Sequence, residues 1–221
     1  MDSSGRRFTE AGPSDVSARG PRPSVSAAIM LAVCGVLATA TAGTNAGASS
    51  DSTPAWCDMT LADLKTLSDP ERGLVDLGPR KTTIRAINRL RRPQPTPTRR
   101  DNTFERHVWR VKAVILRDRL QADGDIQVIL VAGHSYLIAE LPAPACLSKT
   151  TRARAAIVRA RRRFERGCGS PGRSWTNQGA VAYVGGVGLW NLANGQPGHA
   201  KNYAELHPVT SVKFVVGCDR P

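Results

Sequence analysis

A chain of 221 residues suits one domain with an appendage, and its 41% hydrophobic fraction is enough for one packed core. The formal charge of +13 points to polyanions, acidic surfaces or simple solubility and carries no information about fold. The sequence has no nucleophile elbow, phosphate-binding P-loop or paired-histidine helix motif, which sets aside the enzyme classes built on them.

Residues 1–23 are polar and rich in Gly, Pro, Ser and Arg, and residues 24–42, SVSAAIMLAVCGVLATATA, are apolar and free of charge. This reads as a signal peptide with a long n-region, with Ala38-Thr39-Ala40 and Ala40-Thr41-Ala42 offering the small-x-small pattern for cleavage. The alternative is an uncleaved anchor, since about 19 apolar residues nearly span a bilayer; the many Ala, Ser and Thr weaken it. Arg6-Arg7 lies too far upstream for a twin-arginine signal, and Cys34 is an ordinary residue of the apolar run. The expectation is a secreted or cell-envelope protein, membrane-anchored if the segment is retained.

Removal of residues 1–42 takes four arginines against three acids, so the basic character belongs to the exported part. It leaves Cys57, Cys146, Cys168 and Cys218, an even number in an oxidising compartment, which predicts two disulfides among three connectivities. No Cys-x-x-Cys or Cys–His spacing supports a zinc site.

Residues 43–56 read as a Ser/Thr/Ala/Gly tether, and 57–104 as an N-terminal extension with a short amphipathic helix. In that helix Ile84, Ile87 and Leu90 share a face, Thr82 or Thr83 caps, and Pro93 ends the run before a Pro/Arg-rich link. From Glu105 the period becomes two. Trp109, Val111, Ala113 and Ile115 take one face of a strand, and Arg110 and Lys112 the other. After the turn DRLQADGD, IQVILVA and SYLIAEL are two strands joined by Gly133-His134. A helix from about Ser148 to Arg166 carries the apolar stripe Ala153, Ala156, Ile157, Ala160 and Phe164 and a strongly basic outer face. AVAYVGGVGLW and PVTSVKFVV are the last strands, joined by a long loop that ends in Glu205-Leu206-His207-Pro208. The domain at 105–218 is thus mainly β with one helix in the order β-β-β-α-β-β, which predicts a five-stranded OB-fold-like barrel.

The chain resembles an uncharacterised group of exported bacterial OB-like proteins. The residues that carry the resemblance are Cys57, Lys65-Thr66, Asp69, Asp123, Asp125, Ile138 through Cys146, Gly186-Val187-Gly188, Gly195-Gln196, Gly198, Asn202 and Glu205 through Val209. The resemblance brings no activity with it. It implies a Cys57–Cys146 pair, leaving Cys168 for Cys218; a helix of roughly 28 Å between Cys146 and Cys168 also argues against joining those two. The chain departs from the group where related sequences tend to carry an acid or histidine. It has Gln127, Asn191 and Asn194 instead, each a neutral amide.

Glu205 and His207, two residues apart, point the same way on an extended segment, as do Asp123 and Asp125 in the first turn. Two readings follow. In one, Asp123 and Asp125 are turn residues and Glu205 and His207 fasten the long loop, with no cofactor. In the other, Asp123, Asp125, Glu205 and His207 are catalytic, and Glu205, His207 and His199 hold a divalent metal for phosphodiester hydrolysis. The Asp-Gly-Asp turn also resembles the active-site strand of staphylococcal-nuclease-like OB barrels. The preferred function is non-enzymatic. Arg85, Arg89 and Arg92 in the extension, with Arg152, Arg159, Arg162, Arg163 and Arg166 on the helix, would bind extracellular nucleic acid, acidic polysaccharide or another envelope partner. Solvated arginine faces are the bland alternative, and aromatics at 5% leave few stacking platforms. No specific protein partner is implied, and a monomer is expected.

Overall fold

The computed structural model describes residues 53–218. The signal or anchor segment at 1–42 and most of the tether at 43–56 lie outside the described residues, and among the described residues no helix is long and apolar enough to cross a membrane. The elements run α1 Ala62–Thr66, β1 Asp76–Lys81, α2 Ile84–Ile87, β2 His107–Leu120, β3 Ile126–Ala132, β4 Ser135–Leu141, α3 Arg154–Cys168, β5 Thr176–Trp190 and β6 Ala204–Val216, with short 3-10 turns between some of them.

The protein is mostly β: one six-stranded mixed sheet in the order β1-β2-β3-β4-β6-β5, with a further β2–β5 pairing that partly closes it into a ring. β2, at 14 residues, is long enough to pair with β5 on one side and, over its second half, with β3 on the other. The ring's interior takes alternate residues of each strand. Ile126, Val128 and Leu130 of β3, Leu137, Ala139 and Leu141 of β4, and Val111, Ala113 and Ile115 of β2 join one core. Ala160 and Phe164 of α3 enter the same core, so the helix buries its apolar stripe against β6 and β4.

Three expectations change. The extension is not only helical: Asp76–Lys81 adds a sixth strand, parallel to the start of β2. That stretch, DLGPRK, is exposed throughout, so no burial alternation announces it. α2 is one turn, capped by the Thr83 hydroxyl accepting from the Ala86 N–H; Leu90 lies beyond it and is exposed. The third concerns Glu-Leu-His-Pro, which sits inside β6 and not in the loop. β6 begins at Ala204, where it pairs with β5 and, in parallel, with β4 at Ile138–Glu205 and Ala139–Leu206.

Two disulfides tie the periphery to this frame. Cys57 is bonded to Cys146, which holds the N-terminal extension to the segment after β4, and Cys168 to Cys218, which ties the end of α3 to the end of β6. Such bonds are compatible with an extracellular protein. A third fastening is the fully buried Arg100, which donates to Asp69 Oδ2 at 2.9 Å and to the carbonyls of Glu105 and Leu64, joining parts of the extension to one another and to the start of the following domain.

Candidate functional site

Alternation along β3, β4 and β6 places Gln127, Ile129, Ile138, Glu140, Glu205 and His207 on the face away from the ring's core. All six are nevertheless buried, because two segments cover this face. One is the N-terminal extension, whose buried Lys65 acts on both Glu140 and Glu205. The other is the loop 191–203. Gly198, at φ +78°, lies so close to Ile129 that an added Cβ would sit 2.6 Å from its side chain, and the Asn202 amide donates to the carbonyls of Ile87 and Leu90.

Between cover and sheet lies a polar cluster centred on His207, whose side chain is fully buried. Its Nε2 is 3.2 Å from Asp125 Oδ2 and its Nδ1 2.9 Å from Glu140 Oε2. Neither ring nitrogen has a hydrogen-bond partner among the described residues, so the two contacts act as ion pairs of the protonated imidazole. Burial works to lower the His207 pKa, but Glu140 and Asp125 on either side push it up to about 9. Burial likewise works to raise Glu140, yet His207, Lys65 and the amide of Gln121 hold it below the usual carboxylate range.

Glu205 is in the opposite condition. Burial, and then repulsion from Glu140, push its pKa up to about 8, against the Asn191 amide at 2.9 Å. Gln196 reaches Glu205 at 3.3 Å and accepts from Gln127 at 2.5 Å, while Gln127 also donates to Glu140 at 3.2 Å. Side chains from β3, β4 and β6 and the long loop's Asn191 and Gln196 are thus joined in one network. With Glu205 keeping its proton, two carboxylates, one imidazolium and the Lys65 ammonium balance.

The two sequence-based ligand sets are only partly assembled. Asp125, Glu140 and His207 bring donor atoms within 4.8 Å of one another. Asp123 does turn work, its carboxylate accepting from the Asp125 N–H, and burial raises its pKa, followed by the charge of Asp125. Asp125 Oδ1 also accepts from the Ala143 N–H, fixing the exit of β4. His199 points elsewhere: it stacks on Tyr203 at 4.6 Å, with Nδ1 2.8 Å from the Ala200 carbonyl oxygen. Glu140 was missed as a site residue, although a lone acid in the apolar strand SYLIAEL was a usable signal.

The arginines divide as sharply. Arg152 donates to the carbonyls of Arg72 and Gly73, and Arg92 to Thr96 and the Asn191 carbonyl, so both serve the fold. Arg161, on the same helix, is buried and donates to the Gly124 and Leu141 carbonyls. Arg159, Arg162 and Arg163 are exposed on α3 with no partner among the described residues, as are Arg85 and Arg89 on and just after α2. Arg166 is exposed and has a partner within the chain.

No family model and no curated protein matches the chain. Among solved structures it is similar to one described as "a putative aspartyl-tRNA synthetase from Leishmania major Friedlin". The match has 11% identity and a TM-score of 0.38, over 64% of this chain and 22% of that one. The chain therefore spans less than a quarter of that protein's length, and the likeness is too distant to bear on function.

Proposed function

We propose that the chain is an exported OB-like module that binds a polyanion and catalyses no reaction. The strand order supports the OB part: β2 through β6 form the ring, α3 falls between its third and fourth strands, and β1 is an addition outside it. The observation that carries the binding part is the row Arg159, Arg162, Arg163, spaced i, i+3, i+4 along one helix face, exposed and without a partner among the described residues. Guanidinium groups left free of carboxylates are available to phosphate, sulfate or carboxylate of a ligand. Binding would proceed largely by counterion release and would read charge density more than sequence. The test is affinity for heparin and for DNA as a function of salt, with Arg159, Arg162 and Arg163 changed together to Gln. A flattened slope supports the reading, and an unchanged one makes the helix a solvated face.

A metal-dependent hydrolase is the second reading, favoured by the approach of Asp125, Glu140 and His207. The cluster is a weak candidate for it. His207 would have to give up a proton that two carboxylates stabilise, and its side chain is fully buried. A zymogram with DNA and RNA, with and without divalent metal, separates the readings: cleavage abolished by Asp125→Asn establishes the hydrolase.

A further inference from the structure

Among the described residues, the sheet face formed by β1, β2, β5 and β6 has no cover comparable to the extension and long loop. There a groove of about 580 Å³ is lined by Pro79, Lys81, Arg110, Tyr183, Ser211 and Lys213. Strand register explains its shape. Lys81 is the Cα partner of Arg110, Arg110 of Gly185, and Gly185 of Ser211; on the neighbouring rung Lys112 pairs with Tyr183 and Tyr183 with Lys213. The groove floor between Arg110 and Ser211 is backbone because Gly185 has no side chain, and a Cβ there would lie 2.4 Å from Ser211 Oγ. Four strands therefore carry cations or hydroxyl to the rim of one depression, across roughly 14 Å at the usual strand spacing.

The chemistry of the lining is one-sided. Lys81, Arg110 and Lys213 stand in it, Lys112 lies beside it, and no acidic side chain lines it. Lys81 and Lys213 are exposed and have no partner among the described residues, and Arg110 has a buried Nε that donates to nothing. A buried guanidinium N–H without an acceptor is costly and marks a place where a ligand oxygen would be favourable. Tyr183, 37% exposed, is the one aromatic of the lining; Arg110 and Lys112 stand over its ring at 5.8 and 6.0 Å. With cations already over that ring, base stacking is disfavoured, whereas sulfate or carboxylate groups on a sugar chain need only the cations and the Ser211 hydroxyl.

We propose that this groove is the seat of an acidic polysaccharide segment, held by Lys81, Arg110, Lys112 and Lys213 through its sulfate or carboxylate groups. The proposal rests on the polyanion reading and moves its main contact from α3 to the open sheet face. The test is calorimetric titration of the unmodified chain with a heparin hexasaccharide and, separately, a short single-stranded DNA. Comparison variants are Lys81→Gln with Lys213→Gln, the same pair with Arg110→Gln, and the α3 triple change to Gln. The hexasaccharide is expected to bind, the exposed pair to weaken it at least tenfold, and Arg110→Gln to weaken it further, all with the melting temperature of the exposed pair kept. Undiminished binding in the exposed pair, with loss in the α3 triple, overturns the groove and leaves the polyanion reading standing. Tighter groove-dependent binding of DNA overturns the choice of ligand. No binding of either probe by the unmodified chain overturns both readings.

Discussion

The two outer faces of the sheet hold comparable numbers of charged side chains and use them in opposite ways. On β3, β4 and β6 the charges are of both signs and lie under the extension and the long loop, where Asp125 and Glu140 face His207, and Lys65 also acts on Glu140. On β1, β2, β5 and β6 the groove's charges are all positive, its lysines are exposed, and they include groups with no partner among the described residues. Charge paired with its opposite under cover is what a clasp requires, and unpaired charge of one sign in the open is what a ligand requires. Residue types alone would have ranked the faces the other way, because Asp, Glu and His invite a catalytic reading and Lys rarely does.

The contrast is most exposed at His207. His207→Ala leaves two buried carboxylates without their cation, a loss on the order of 3–5 kcal/mol. At about 2–4 °C per kcal/mol for a domain of this size, the melting temperature should fall by roughly 6–20 °C, or the chain should fail to fold. Lys213→Ala, on the open face, should stay within about 0.5 kcal/mol of the unmodified chain. Similar losses from both would erase the distinction.

The same cluster sets a pH dependence. His207 titrates above its usual 6.5, at about 9, so its stabilisation is fully present below pH 6.5 and is lost as pH rises through 9. That loss is on the order of 3 kcal/mol. Glu205, raised from 4.5 to about 8, acts in the same direction: the folded protein favours its protonated form, so ionisation weakens the fold progressively from pH 4.5 to 8. Glu140, held low, contributes above its usual value and loses that contribution in acid. Melting temperature should therefore decline from mildly acidic pH to pH 9, and Glu205→Gln should remove part of that decline.

Cys57→Ser with Cys146→Ser opens a closure of 89 residues and should cost roughly 2–4 kcal/mol, seen as a lower denaturant midpoint. Because that bond anchors the cover, amide exchange in α1 and at Gln127 and Glu205 should accelerate more than in β2. The smallest effect is expected from the α3 triple change to Gln, within a degree or two in melting temperature, since none of the three arginines has a partner among the described residues.

Much of the ring was legible in the sequence because its strands are marked by alternation or by short apolar runs between turn residues. ERHVWRVKAVIL names its own core face, IQVILVA and SYLIAEL are short apolar runs of strand length, and Gly133-His134 names the turn between them. β1 was not legible, since DLGPRK is exposed along its length and its strand character comes from pairing with β2. The Asp125–His207 contact was half legible: both residues stood out, but only β6 lying beside β4 brings them to Glu140. The groove was hidden for a different reason. Arg110 and Lys112 read as the wet side of a strand, and nothing in a linear pattern places Lys81 and Lys213 next to them.

The division of labour between the faces comes down to which ligand the native state prefers, and a ligand that binds only the native state must raise the melting temperature. The decisive measurement is the melting temperature of the unmodified chain titrated in parallel with a heparin hexasaccharide and with Mg²⁺, Mn²⁺ or Zn²⁺. The account predicts a dose-dependent rise with the oligosaccharide and none with the metals. A rise with metal that Glu140→Gln abolishes, together with no response to the oligosaccharide, would contradict it and make the covered cluster the functional centre.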